Sequence, residues 1–196
     1  MPTSPQRLSK QARREQLLDT AMAIVRGRSA DDLTLLTLAE AAGVSRPIVY
    51  DHFGTRPGLL LALYQRLEER HRAETARALR SAAPNADAIA RVLSDAYFAC
   101  AVDMPEFTAI SAALKGNREM EARQREMLEH YTELMAAALR PYTSLALAAL
   151  RLRCVGVLGA AEVIAAELNS GRTTIAEAAA ALTDLIAGCL VVRTGG

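Results

Sequence analysis

The chain has 196 residues, 51% of them hydrophobic but only 4% aromatic, with no Trp and a net charge of +1. That length buries a real core in one domain or two small ones, and the near-neutral balance excludes a surface coated in positive charge. Cys100, Cys154 and Cys189 are far apart and give neither metal-ligand spacing nor a disulfide framework. His52, His71 and His130 are equally scattered, so no metal site is expected.

Alanine and leucine carry the apolar content, which favours helix over sheet. The expected fold is all-α, with about nine helices. The first fourteen residues hold Arg7, Lys10, Arg13 and Arg14 and no acid. Two readings stay open for them, an arm lying along phosphates and a solvated tail. A first helix is expected from about Ser9 to Arg26, with Leu17, Leu18, Ala21, Ile24 and Val25 on one stripe.

Thr34 to Arg56, TLLTLAEAAGVSRPIVYDHFGTR, is the most informative stretch. Thr34 is placed to cap a second helix, whose inner face is Leu35, Leu38, Ala39 and Ala42. Gly43 ends it, Val44 plugs the corner, and Ser45 is placed to cap a third helix with Pro47 in its first turn. Val49 and Phe53 face inward. Two helices joined by a short glycine-containing turn form a helix-turn-helix, here about residues 34–53, whose second helix enters the DNA major groove. The first helix supplies the surface such a pair needs in order to fold.

A fourth helix begins after Thr55, with Pro57 in its first turn and Leu59, Leu60, Leu63, Tyr64 and Leu67 on its apolar face. Its charged tail, residues 68–80, makes it a rod between two domains, 1–56 and 57–196. SAAPNA (81–86) is the clearest break. A fifth helix is expected over about 87–102, a sixth from Met104-Pro105 to near Gly116, and a seventh from Asn117 to Leu139, ended by Pro141. An eighth should open at Thr143 or Ser144 and run to Leu168. Thr174 with Glu177 is a capping box for a ninth, ending near Val192. The longest run without charge, 141–150, is ten residues, well short of the ~18 of a membrane helix. With no basic-then-apolar N-terminal signal, the expected location is cytoplasmic.

TLAEAAGVSRPIVYDHFGTRPGLL resembles the DNA-binding region of the tetracycline-repressor (TetR) family, through Thr34, Leu38, Ala39, Ala42, Gly43, Val44, Ser45, Tyr50, His52, Phe53 and Leu59-Leu60. The resemblance covers roughly Ser9 to Leu67. It implies a sequence-specific DNA-binding transcriptional regulator that works as a homodimer on a near-palindromic operator, a repressor released by a small-molecule ligand. Alternatives are a ligand-independent DNA-binding protein, or a helical ligand-binding protein or enzyme on the same fold. No catalytic constellation or cofactor motif is present to favour an enzyme.

Resemblance and helix geometry together sort the DNA contacts. Arg46 is the base reader, since Arg pairs bidentately with guanine. Pro47 meets a thymine methyl or shapes the helix start. Tyr50 and His52 contact phosphate or sugar, with Tyr50 also able to reach a base, and Thr34, Thr55 and Arg56 are phosphate clamps at helix N-termini. Ser45 serves either purpose. The family usually has Lys where Arg56 stands. Two departures concern specificity. Leu36 replaces a residue often polar or basic, and Asp51 either accepts from cytosine or lies off the groove.

In the resembled family the remaining two-thirds binds the ligand and dimerises. Small residues in the last two helices (Gly156, Gly159, Ala160, Ala161; Ala178 to Ala181, Gly188) suit close helix pairing between two subunits, or packing within one chain. The candidate pocket, mostly apolar, draws on Tyr97, Phe98, Cys100, Met104, Phe107, Ile110, Met127, His130, Tyr131, Leu134 and Met135. Arg153 and Glu162 interrupt the apolar eighth helix and suit a ligand, a partner chain or solvent.

Overall fold

The computed structural model describes residues 8–103 and 105–191. All regular structure among the described residues is helical: α1 (Lys10–Gly27), α2 (Leu35–Ala42), α3 (Arg46–Phe53), α4 (Arg56–Ser81), α5 (Ala86–Asp103), α6 (Pro105–Ala113), α7 (Arg118–Leu139), a 3-10 turn (Arg140–Tyr142), α8 (Leu147–Asn169) and α9 (Ile175–Cys189). None of these helices is long and apolar enough to cross a membrane.

Two compact units result. The first takes the chain up to Leu67 and adds Glu106–Met120. The second takes Glu68–Pro105 and the chain from Glu121 onward. A division at 56/57 follows the start of α4. Packing instead draws the first turns of α4 into the N-terminal unit, because Leu59, Leu60, Leu63 and Tyr64 are buried there, none above 1% exposed.

In the N-terminal unit the stripe on α1 is buried as its spacing requires, through Leu17, Leu18, Ala21 and Val25. Ser9 caps α1 by accepting from the Ala12 N–H. Thr34 caps α2 in a reciprocal box with Thr37, which satisfies N–H groups a helix start leaves over. Gly43 ends α2 at φ 63°, ψ 34°, a left-handed setting that is cheap for glycine alone.

The C-terminal unit has its own core. It is built from Leu93 and Phe98 of α5, Met135 and Leu139 of α7, Leu150, Cys154 and Val157 of α8, and Leu182 and Ile186 of α9. α9 packs on both α5 and α8. The eighth helix does not open at Thr143 or Ser144. Pro141 falls inside the 3-10 turn, and the Thr143 hydroxyl donates to the Leu190 carbonyl and accepts from the Leu145 N–H, so α8 starts at Leu147. Arg153 is committed within the chain: its Nη1 donates to the carbonyls of Cys189 (2.7 Å) and Val191 (2.8 Å). There it satisfies carbonyls at the end of α9 and meets the negative pole of that helix. Arg153→Met should lower unfolding stability by about 1.5–3 kcal/mol, the range for charge-assisted hydrogen bonds, read as a shifted denaturant midpoint.

Candidate nucleic-acid interface

Helix α3 buries Val49 and Phe53 and leaves Arg46, Pro47, Ile48, Tyr50 and Asp51 exposed. Tyr50 is 54% and Ile48 37% exposed, so the outer face of α3 carries an arginine, a phenol and two apolar side chains. Ile48 was not singled out by sequence reasoning. It reads as core by composition, and only its place on α3, one residue before Val49 points inward, turns it outward.

Ser45 occupies the N-cap of α3 but makes no side-chain cap bond, contrary to the sequence-based expectation. The reason is local. A capping hydroxyl accepts from the second or third helical N–H. Here the second residue is Pro47, which has none, and the Ile48 N–H is taken by the Ser45 carbonyl at 3.1 Å. The hydroxyl and the start of α3 are left facing outward, with the positive pole of the helix behind them.

The flanking threonines both serve as caps. Thr34 accepts from the Thr37 N–H at 3.0 Å, and Thr55 from the Gly58 N–H at 3.1 Å. Arg56 has partners within the chain. Its Nε donates to the Leu33 carbonyl (2.8 Å) and its Nη2 to the Ala30 carbonyl (2.8 Å). The guanidinium expected on a phosphate ties down the loop before α2, because loop carbonyls lie within reach of its forked donor.

The basic N-terminal stretch is divided as well. Arg7 lies outside the described residues. Lys10 pairs with Asp51 at 3.2 Å, both exposed, so the carboxylate on α3 is partly neutralised by α1. Arg14 donates to the His52 carbonyl (3.1 Å) and lies over the Phe53 ring, 5.0 Å from its centre, a brace between α1 and the end of α3. His52 is half-buried. Burial, with the positive charges of Lys10, Arg14 and Arg13, holds its imidazole below the ordinary value, while Asp51 acts the other way.

The residues expected to form a ligand pocket fall in both compact units. Met104 lies outside the described residues, as does the side chain of Cys100. Phe107 and Ile110 belong to the N-terminal unit, where the Phe107 ring meets Tyr64 at 4.4 Å. His130 is exposed, since it falls on the outer face of α7. Phe98 and Met135 are fully buried core. What the C-terminal unit does assemble is an aromatic group: Tyr97 against Phe98 and Tyr131, and His71 of α4 lying nearly parallel to Tyr131 (10° apart, 6.2 Å between centres). Met127 and Leu134 are half-buried on α7. An open groove of about 330 Å³ elsewhere in that unit is lined by Arg91, Asp95, Ala179, Thr183 and Asp184, none of them expected to line a pocket. Among the described residues no three His, Cys, Asp or Glu side chains cluster as metal ligands.

Burial holds the His71 imidazole below its ordinary 6.5, with Glu74 opposing. Because the folded value is depressed, the unfolded chain binds the proton more readily. Stability from His71 is therefore complete above pH 6.5 and is lost as pH falls through the folded value. His71→Gln should flatten the fall of melting temperature between pH 7 and about 5, measured beside the unaltered protein.

The sequence profile of the tetR family of bacterial regulatory proteins matches residues 17–63, from the middle of α1 into α4. Residues 17–63 are a DNA-binding region of the tetR-family type. No curated protein matches the sequence. Among solved structures the chain is similar to a protein of unknown function from Rhodococcus sp. RHA1, at 22% identity and TM-score 0.77 over 97% of this chain and 100% of that one. It is also similar to a putative TetR-family transcriptional regulator from Rhodococcus sp., at 20% identity and TM-score 0.67 over 91% and 99%. A third is the transcriptional regulator FadR from Bacillus subtilis in complex with stearoyl-CoA, at 14% identity and TM-score 0.64 over 90% and 97%. These likenesses establish that the fold extends through the C-terminal unit. With a tetR-type DNA-binding region, the chain is a DNA-binding transcriptional regulator.

Proposed function

We propose that this regulator is a homodimeric repressor, acting in the bacterial cytoplasm, that leaves its operator when a small, largely apolar molecule binds the C-terminal unit. The observation that carries the DNA half is the outer face of α3. Arg46 and Tyr50 stand exposed on a helix whose start is uncapped, and Pro47 and Ile48 give that face apolar contacts suited to thymine methyls. Ser45, Thr34, Thr55 and His52 sit around it as phosphate or sugar contacts that position without specifying. Arg56 acts behind them as a brace. Asp51, paired with Lys10, tunes the approach of the backbone.

Dimerisation is supported by the outer face of α8. Leu152, Val155 and Val163 are 73%, 47% and 65% exposed. A Cβ added at Gly156 or Gly159 of α8, or at Gly188 of α9, meets nothing within 4 Å. These small residues are therefore not packed inside one chain, and they leave room for the same helices of a second copy. A two-fold pair sets two recognition helices about one DNA turn apart, ~34–36 Å, or a multiple of it.

For the ligand, the aromatic group of His71, Tyr97 and Tyr131, with Met127, is the best-supported lining, and the Bacillus subtilis FadR in complex with stearoyl-CoA supports a ligand with an apolar part. α4 runs continuously from one unit into the other and can carry a tilt between them.

The test begins with a duplex selected from random-sequence DNA by the purified protein. Arg46→Ala should cost about 1–3 kcal/mol, or roughly ten- to hundredfold in affinity, and relax selection at one base pair of each half-site. Unchanged binding and unchanged sequence preference in Arg46→Ala and Tyr50→Ala together would remove α3 as the reading element.

A further inference from the structure

Among the described residues the buried charged side chains are Glu68 and Glu106, each 6% exposed. Both stand where the chain passes between the compact units. Glu68 is the first residue after the passage inside α4, and Glu106 the first after the passage at the start of α6. A third passage lies between Met120 and Glu121 inside α7.

Each carboxylate is held by an arginine from another helix of its own unit. Glu68 Oε2 accepts from Arg123 Nε (3.0 Å) and lies 2.9 Å from Arg123 Nη2, and Arg123 is three residues beyond Met120. Arg123 Nη1 is in turn fixed by Glu126 at 2.9 Å. Glu106 is held by Arg26 Nε, from the last turn of α1. Thus every passage carries one member of an ion pair whose carboxylate is buried.

Buried ion pairs are seldom a net gain over apolar side chains of similar volume, and their best-attested use is to fix register. A helix displaced by one step leaves a desolvated carboxylate without its donors, so the arrangement favours discrete settings over gradual drift. We propose that Glu68–Arg123 and Arg26–Glu106 are registry latches, positioning residues that set α4, α7 and α6 where the chain crosses between units and so couple the two units energetically. The latch reading rests on the DNA-binding, effector-released function proposed above and specifies the residues through which its coupling acts.

The test uses the full chain and the selected duplex, with amide hydrogen exchange as the readout. In the unaltered protein, duplex binding should slow exchange in α1–α3 and also, by about 5-fold or more, in α5 and α9. Two double variants, Arg26→Met with Glu106→Met and Glu68→Leu with Arg123→Met, replace each pair by apolar volume. They should melt no lower than the parent and keep duplex protection in α1–α3, yet lose the protection in α5 and α9. A purely structural pair would move melting and leave the remote protection intact. Where a double variant melts early, Glu68→Gln carries the same comparison with its shape retained. Remote protection that survives in both double variants, or is absent from the unaltered protein, overturns the latches while leaving DNA binding intact. Failure to select any duplex overturns the DNA reading and the latches with it.

Discussion

Gly58→Ala should abolish operator binding at temperatures where the parent is fully active, and should lower stability by about 3 kcal/mol, the upper part of the range for overpacking a close contact. The added Cβ would stand 2.3 Å from the Phe53 carbonyl oxygen. No rotamer relieves that contact, because the obstacle is backbone. The same carbonyl accepts from the Thr55 N–H at 2.6 Å, and Thr55 in turn accepts from the Gly58 N–H. The end of α3 and the start of α4 are therefore folded onto one another within six residues. To admit a methyl group, either α4 loses its Thr55 cap or the last turn of α3 shifts outward. The second course carries Tyr50, whose carbonyl accepts from the Gly54 N–H at 2.8 Å, away from its place on the recognition face. A melting curve and a binding titration on the selected duplex read the two effects separately. Unaltered melting and affinity would show that the α3–α4 corner is looser than its contacts imply.

Gly58 also marks how far sequence reasoning reaches. The helix-turn-helix was legible because its signals are local: Thr34 at a cap, Gly43 at a left-handed end, Val49 and Phe53 one turn apart. Each acts within a few residues, so spacing alone reports it. Gly58 carries no such signal. In sequence it is one more glycine near a helix start, and the need for it arises from a carbonyl that reaches it only after the corner has folded. The intrachain partners of Arg56 and Arg14 were hidden for the same reason. A long forked donor also reaches unsatisfied carbonyls, and tertiary structure decides which lie within reach. Ser45 fails as a cap for a reason the sequence did contain, since Pro47 removes the N–H it would have bonded. The ligand set was least legible. An apolar residue at core spacing looks alike whether it lines a cavity or fills one, and Phe107 sits in the other unit because α6 packs apart from the helices that flank it in sequence.

The largest expected effect on DNA binding, without loss of the fold, belongs to Leu152→Asp. In one chain Leu152 is 73% exposed, so the substitution should change the stability of the isolated subunit by no more than about 0.5 kcal/mol. In a dimer formed through α8 and α9 the same side chain lies at the pairing face, together with Val155 and Val163. Two-fold symmetry then places two carboxylates in one apolar interface, each needing a partner that neither subunit supplies. The dimer should dissociate at concentrations where the parent is fully paired. Operator affinity should fall by about 10²–10⁴-fold, because the second half-site contact no longer follows from the first at high effective concentration. Leu128→Asp on α7, also at an exposed leucine (47%), is the comparison that separates a lost interface from a general effect of added charge, and it should leave both properties unchanged. Sedimentation velocity reads the first effect and a titration on half-site and full-site duplexes the second. With Leu152→Asp the full site should bind no better than twice as well as the half site, the statistical factor alone. A variant that sediments as a dimer and still prefers the full site would move the pairing surface off α8.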